Sequence, residues 1–192
     1  NQIGAIETSD LAVLTTAQVA VLNTAQAAAL TTTQIGVLNT ADVRAINTTN
    51  VAALSSDQVA AMTSAQIGAL STAQVGALNT NQAAAIETAD LAGLSTAAMR
   101  AFTTAAANAL TTDQIANLNT AQVNALSTTQ VAALNTNQIG AIETSDLATM
   151  STAQIAVFNT AQTVALSTTQ IGALNTADIR ALNTANTAAL TT

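Results

Sequence analysis

An eight-residue repeat runs through the chain from Asn1 to Thr192 without an insertion or a deletion, and all 192 residues fit as twenty-four octads. One octad reads cap-Thr-x-Gln-apolar-Ala-Ala-Leu, as in 127-STTQVAAL-134. The eighth position, Ile6 to Leu190, holds 16 Leu, 4 Ile, 2 Met and 2 Phe. The second position, Thr8 to Thr192, is Thr except at Ser56 and Ser64. A short repeat kept in register demands that each octad be one structural unit and that each unit stack on others like itself.

The unit carries both start signals of an α-helix. In 70-LSTAQVGAL-78, Ser71 is a helix cap and Gln74, three residues on, completes a capping box. Leu70 and Val75 flank that box as a hydrophobic staple. Ser127 and Gln130 form the same pair in the octad quoted above. The cap column contains 9 Asn, 6 Ser, 6 Thr and 3 Glu, and the Gln column 15 Gln and 5 Asp. Side chains of these kinds accept from, or complement, the free N–H groups of a first helical turn.

A continuous helix is excluded. Eight residues advance about 800°, so the apolar stripe would drift by about 80° per octad and could not face one core. A fresh cap every eight residues restarts the helix instead. The predicted fold is therefore all-α: a repeat solenoid of very short helices of about one and a half turns, one per octad, each ending in a sharp corner at the Leu and the next cap. A β-solenoid is the alternative, since Thr, Val and Ile favour strands. Against it stand the abundant Ala, Gln and Asn of the octads, which do not favour strands, and the lack of Gly at the corners.

On the helical reading the Val and Leu columns share a core face, with Leu70, Val75, Leu78, Val131 and Leu134 as representative core residues. The Ala columns form a small face on the other side. Six of the seven Gly fall in one of these small columns (Gly4, Gly36, Gly68, Gly76, Gly140 and Gly172), which reads as a packing demand for a close neighbour. An octad cannot fold alone, because two buried aliphatic side chains do not offset the entropy of ordering eight residues. Residues 1–192 are read as a single array with longer blocks 1–80, 81–136 and 137–192. Residues 137–192 match 1–56 at 41 of 56 positions. Gly and Asp also recur at 32 residues (Gly4 and Gly36, Asp10 and Asp42), a faint sign of four octads per structural unit. The outermost octads resemble the interior ones, so the array is expected to be a slice of a longer chain or to stack head to tail.

Composition limits function. There is no His, Cys, Lys, Trp, Tyr or Pro, and 3 Arg against 10 acidic residues leave a formal charge of −7. Nucleic acid needs a basic footprint and is not an expected partner. No apolar run approaches the length of a membrane span. No catalytic residue and no cofactor is expected. The carboxylate pairs that come nearest to a metal site, as a Ca²⁺ ligand set, are Glu7/Asp10, Glu87/Asp90 and Glu143/Asp146. Two carboxylates without a Gly-rich loop fall short of six to eight oxygen ligands, and charge complementing a helix N-terminus explains them as well. Arg44, Arg100 and Arg180 occupy a small-residue slot, where each could reach an acid on a neighbouring coil or chain. The Thr ladder offers a regular array of methyl and hydroxyl groups, which makes ice binding an alternative function.

Text of the type LSTAQVGALNTNQ resembles the octapeptide-repeat regions of giant bacterial secreted adhesin-like proteins of the haem-utilisation/adhesion type. The resemblance covers the whole chain and transfers no catalytic or binding residue. It implies an extracellular or cell-surface structural protein: a rod, stalk or filament that self-associates head to tail or laterally through its Ala/Gly face. A stalk of this kind could also present an adhesive domain outside these octads.

Overall fold

The computed structural model describes residues 2–190. It contains a short 3₁₀ turn, Ile3–Ala5, followed by twenty-three α-helices, α1 (Thr8–Leu11) to α23 (Thr184–Ala189), with no strand among the described residues. Each helix begins at the Thr or Ser of the second octad position and ends by the seventh or just before it. The fold is all-helical, with one short helix per octad, and the β-solenoid is set aside.

The corner explains why the chain needs neither Gly nor Pro there. In Thr72–Ala77 (α9) the helix ends at Leu78, whose φ of −65° and ψ of 132° are extended. Asn79, the next cap, is extended as well at φ −82° and ψ 175°, and Thr80–Ala85 (α10) follows at once. Two consecutive extended residues turn the chain between helices, and no described residue has positive φ. The Leu78 N–H bonds to the Val75 carbonyl at 3.2 Å, a tight last turn that brings the Leu side chain back over the core.

The chain forms two compact units, Asn1–Phe102 and Thr103–Thr192. In the first, α2 (Thr16–Ala20) packs on α5 (Thr40–Ala45), α5 on α8 (Ser64–Ala69), and α6 (Thr48–Ala53) on α9. In the second, α13 (Thr104–Ala109) packs on α16 (Thr128–Ala133) and α19 (Thr152–Ala156) on α22 (Thr176–Ala181). Helix-on-helix contact thus joins octads three apart, while the hydrogen bonds described below join octads four apart. A turn of the coil takes between three and four octads rather than the four that the 32-residue echo suggests. The relation is the one that brings residues i+3 and i+4 together on an α-helix, repeated one level up.

The core of each unit is built from the Val and Leu columns. Leu70, Val75 and Leu78 are buried in the first, Val131 and Leu134 in the second. Met62, Met99, Met150, Phe102 and Phe158 fill the same columns and are buried too. The small face lies against the next coil. A Cβ on Gly68 would stand 2.9 Å from the Gly93 carbonyl oxygen, and one on Gly76 3.2 Å from that of Ala101. Gly172 has open space at the same slot.

Helical Gly ordinarily gains about 0.5–1 kcal/mol on replacement by Ala. Gly172→Ala is therefore expected to raise the thermal midpoint, and Gly68→Ala to lower it because backbone stands in the way. Differential scanning calorimetry of the two variants checks this; equal shifts would contradict the close approach at Gly68.

Candidate functional site, an amide seam between coils

The side chains with the most regular polar geometry are the glutamines of the fourth octad position. Gln74 shows the pattern. Its backbone N–H donates to Ser71 Oγ at 3.2 Å, and its Oε1 accepts from the Ser71 backbone N–H at 2.8 Å, closing the capping box. Its Nε2 then donates to the carbonyls of Val43 at 2.8 Å and Ile46 at 2.7 Å, four octads back. Gln66 does the same to Ile35 and Leu38, and Gln82 to Val51 and Leu54. In the second unit Gln138 reaches Ala107 and Leu110, and Gln162 reaches Val131 and Leu134. These amides are almost completely buried.

The chemistry is complementary at both ends. A short helix leaves its last carbonyls without an intrahelical donor and its first N–H groups without an acceptor. One primary amide, with an acceptor oxygen and two N–H donors, serves both. Its oxygen closes the N-terminus of its own helix, and its nitrogen closes the C-terminus of a helix on the preceding turn. The predicted capping residues Ser71, Gln74, Ser127 and Gln130 all sit in such boxes; Ser127 N–H donates to Gln130 Oε1 at 2.7 Å.

Where the fourth position is not Gln, the seam changes. Asn50 and Asn186 donate to the Leu22 and Phe158 carbonyls, each at 2.6 Å. Their shorter side chains also accept hydroxyl bonds from Thr24 and Thr160, three octads back. Asp146 and Asp178 accept from Thr120 and Thr152 in the same way, at 2.6 and 3.3 Å, and Asp90 from Ser64. Asp42 has no such hydroxyl. It is buried, its Oδ2 accepts from Asn39 Nδ2 at 2.5 Å, and its Oδ1 has no partner. Burial pushes its carboxyl above the usual 3.8, against a hydrogen bond from the Asn39 backbone that pulls it down.

Among the described residues no group of three or more acidic side chains is placed so that it could hold a metal ion. Glu7, Glu87 and Glu143 are exposed and cap nothing with their side chains, and the helices they precede are only four residues long. Asp10 is exposed, Asp90 half-buried and Asp146 buried. Arg44 meets no acid; its Nε donates to the Ala69 carbonyl at 3.2 Å, across the small face. The Thr ladder is largely exposed, yet the hydroxyls of Thr24, Thr120, Thr152 and Thr160 are turned to Asn or Asp of a later coil. It is not a uniform row of free hydroxyls.

The family model of the ALTTAQ repeat matches residues 3–40, 35–72, 60–85, 83–120, 116–142 and 139–176. The chain belongs to the ALTTAQ repeat family. No curated protein matches it closely enough to count as a relative. The six letters of the ALTTAQ repeat run across the corner, as in 109-ALTTDQ-114, from the end of one helix through the cap to the seam glutamine of the next.

The Nε2 half of the seam was missed in the sequence, though a signal was present. A capping box takes Glu as readily as Gln, but this column has 15 Gln and no Glu. Of the two, only the amide both accepts and donates at neutral pH.

Gln74→Ala removes the box and both inter-coil bonds and is expected to cost about 2–4 kcal/mol at about 0.5–1.5 kcal/mol per bond. Gln74→Glu keeps the acceptor and loses the donors, setting an ionised oxygen against two carbonyls. At neutral pH it is expected to destabilise at least as much as Ala, measured by urea denaturation. A Glu variant as stable as the parent would contradict the donor role.

Proposed function

We propose that the chain is a structural protein that provides length: an extracellular or cell-surface rod, stalk or filament grown by stacking octads, without catalysis. The observation that carries this reading is the uniform seam, in which a glutamine reaches the octad four places back by the same two bonds in both units. Such a rule has no preferred number of octads, so it supports extension.

Other features agree. Surface recesses such as the one of about 380 Å³ lined by Thr96, Ala97, Arg100 and Ala101 bring no acid, base and nucleophile together. No helix among the described residues is long and apolar enough to cross a membrane. Extracellular placement rests on the resemblance of the octads to secreted repeat regions. The scarcity of Lys and Arg fits it as well, since trypsin-like proteases find only 3 sites.

Self-association follows from the same rule. An octad stack offers amide donors in one direction and corner carbonyls in the other, so two chains would join head to tail in register. Lateral joining through the Ala/Gly face is the weaker route, because that face already receives backbone from the following coil at Gly68 and Gly76.

Negative-stain electron microscopy with analytical ultracentrifugation of the purified chain tests the proposal. Elongated particles, lengthening with protein concentration, are expected. Compact monomers at every concentration would count against both extension and self-association.

A further inference from the structure

Among the described residues, one buried side-chain polar atom of the seam lacks a hydrogen-bond partner. Asp42 occupies the glutamine slot of α5, is 1% exposed, and leaves Oδ1 without a partner. The other buried Asp and Asn side chains of this slot are occupied. Asp146 and Asp178 each receive a Thr hydroxyl. Asn50 and Asn186 each donate their amide to a carbonyl twenty-eight residues earlier, at 2.6 Å. For Asp42 that carbonyl is the one of Leu14, at the corner of the octad that begins with Glu7. A carboxylate has no hydrogen to give it, whereas a carboxylic acid does.

We propose that Asp42 is a proton-binding site that latches two turns of the coil, its neutral acid donating to the Leu14 carbonyl as the Asn50 amide donates to that of Leu22. Uptake is a simple protonation: one proton from solvent binds a carboxylate oxygen, and the resulting O–H takes the place of the missing amide N–H. Loss of the proton returns a buried anion to a slot that offers it only the Asn39 side-chain amide and the Asn39 backbone N–H. No other charge faces it from the helices packed on α5, since α2 and α8 carry no titratable residue. On its own helix the only other charged group is the exposed Arg44, and in the octad four back Glu7 and Asp10 are exposed.

The direction of the pH effect follows from linkage. The folded-state value lies above the usual 3.8, so the folded chain holds the proton where the unfolded chain has released it. The destabilisation is fully present above the folded value. It is relieved as pH falls from there toward 3.8. The latch is therefore closed in acid and open at higher pH.

The test compares the full chain with Asp42→Asn, a residue that the same slot already accepts at Asn50 and Asn186. Thermal midpoints are measured across a pH series from neutral to mildly acidic. Asp42→Asn is expected to melt higher at neutral pH, and the difference should close as pH falls. A difference that does not change with pH overturns the proposal. In the unsubstituted chain the ¹³C shift of the Asp42 carboxyl carbon should titrate with a midpoint above 3.8. A midpoint at or below that value overturns it without relying on any variant.

Discussion

The structure depends on a neutral amide that is at once donor and acceptor. Helices of four to six residues are too short to be stable alone, and they multiply the number of unpaired backbone groups, because every eight residues bring a new pair of ends. Buried, those ends would each cost on the order of 1–3 kcal/mol. A glutamine at the third helical position settles a donor at one end and acceptors at another. Gln74 ties Ser71 to Val43 and Ile46 in this way, and Gln162 ties Asn159 to Val131 and Leu134. The side chain that starts one helix finishes another, which makes the octad self-consistent only as part of a stack.

Much of this was legible beforehand. The cap at Ser71, the box with Gln74 and the apolar columns at Val75 and Leu78 are local features, and local features read directly from spacing. The small column was legible too: Gly68 and Gly76 sit where another backbone comes within van der Waals distance. What could not be read is how octads meet in space. Whether the coil closes after three octads or four depends on small corner angles at residues such as Leu78 and Asn79, to which a repeat of eight letters is blind. The carboxylate pairs illustrate the same limit. Asp10, Asp90 and Asp146 share one motif, yet one is exposed, one half-buried and one buried, because burial is set by the octads above and below and not by the motif.

Variation within the columns follows the seam more than the core. Replacing Val by Ile, Leu, Met or Ala at the fifth position keeps an apolar side chain against its neighbours, and all of these occur. The glutamine slot tolerates Asn by shortening the bond to one carbonyl and adding a Thr hydroxyl. It tolerates Asp where that hydroxyl is supplied. Asp42 is buried without it, and its Oδ1 is left without a hydrogen-bond partner.

The central claim is that buried glutamine amides hold successive turns together, and side-chain hydrogen exchange reports on it most directly. In a chain labelled with ¹⁵N-glutamine, the Nε2 protons of Gln66, Gln74 and Gln82 should exchange slowly, while those of the exposed Gln18 and Gln26 exchange at the rate of free amides. Equal, rapid exchange at all five would contradict the account.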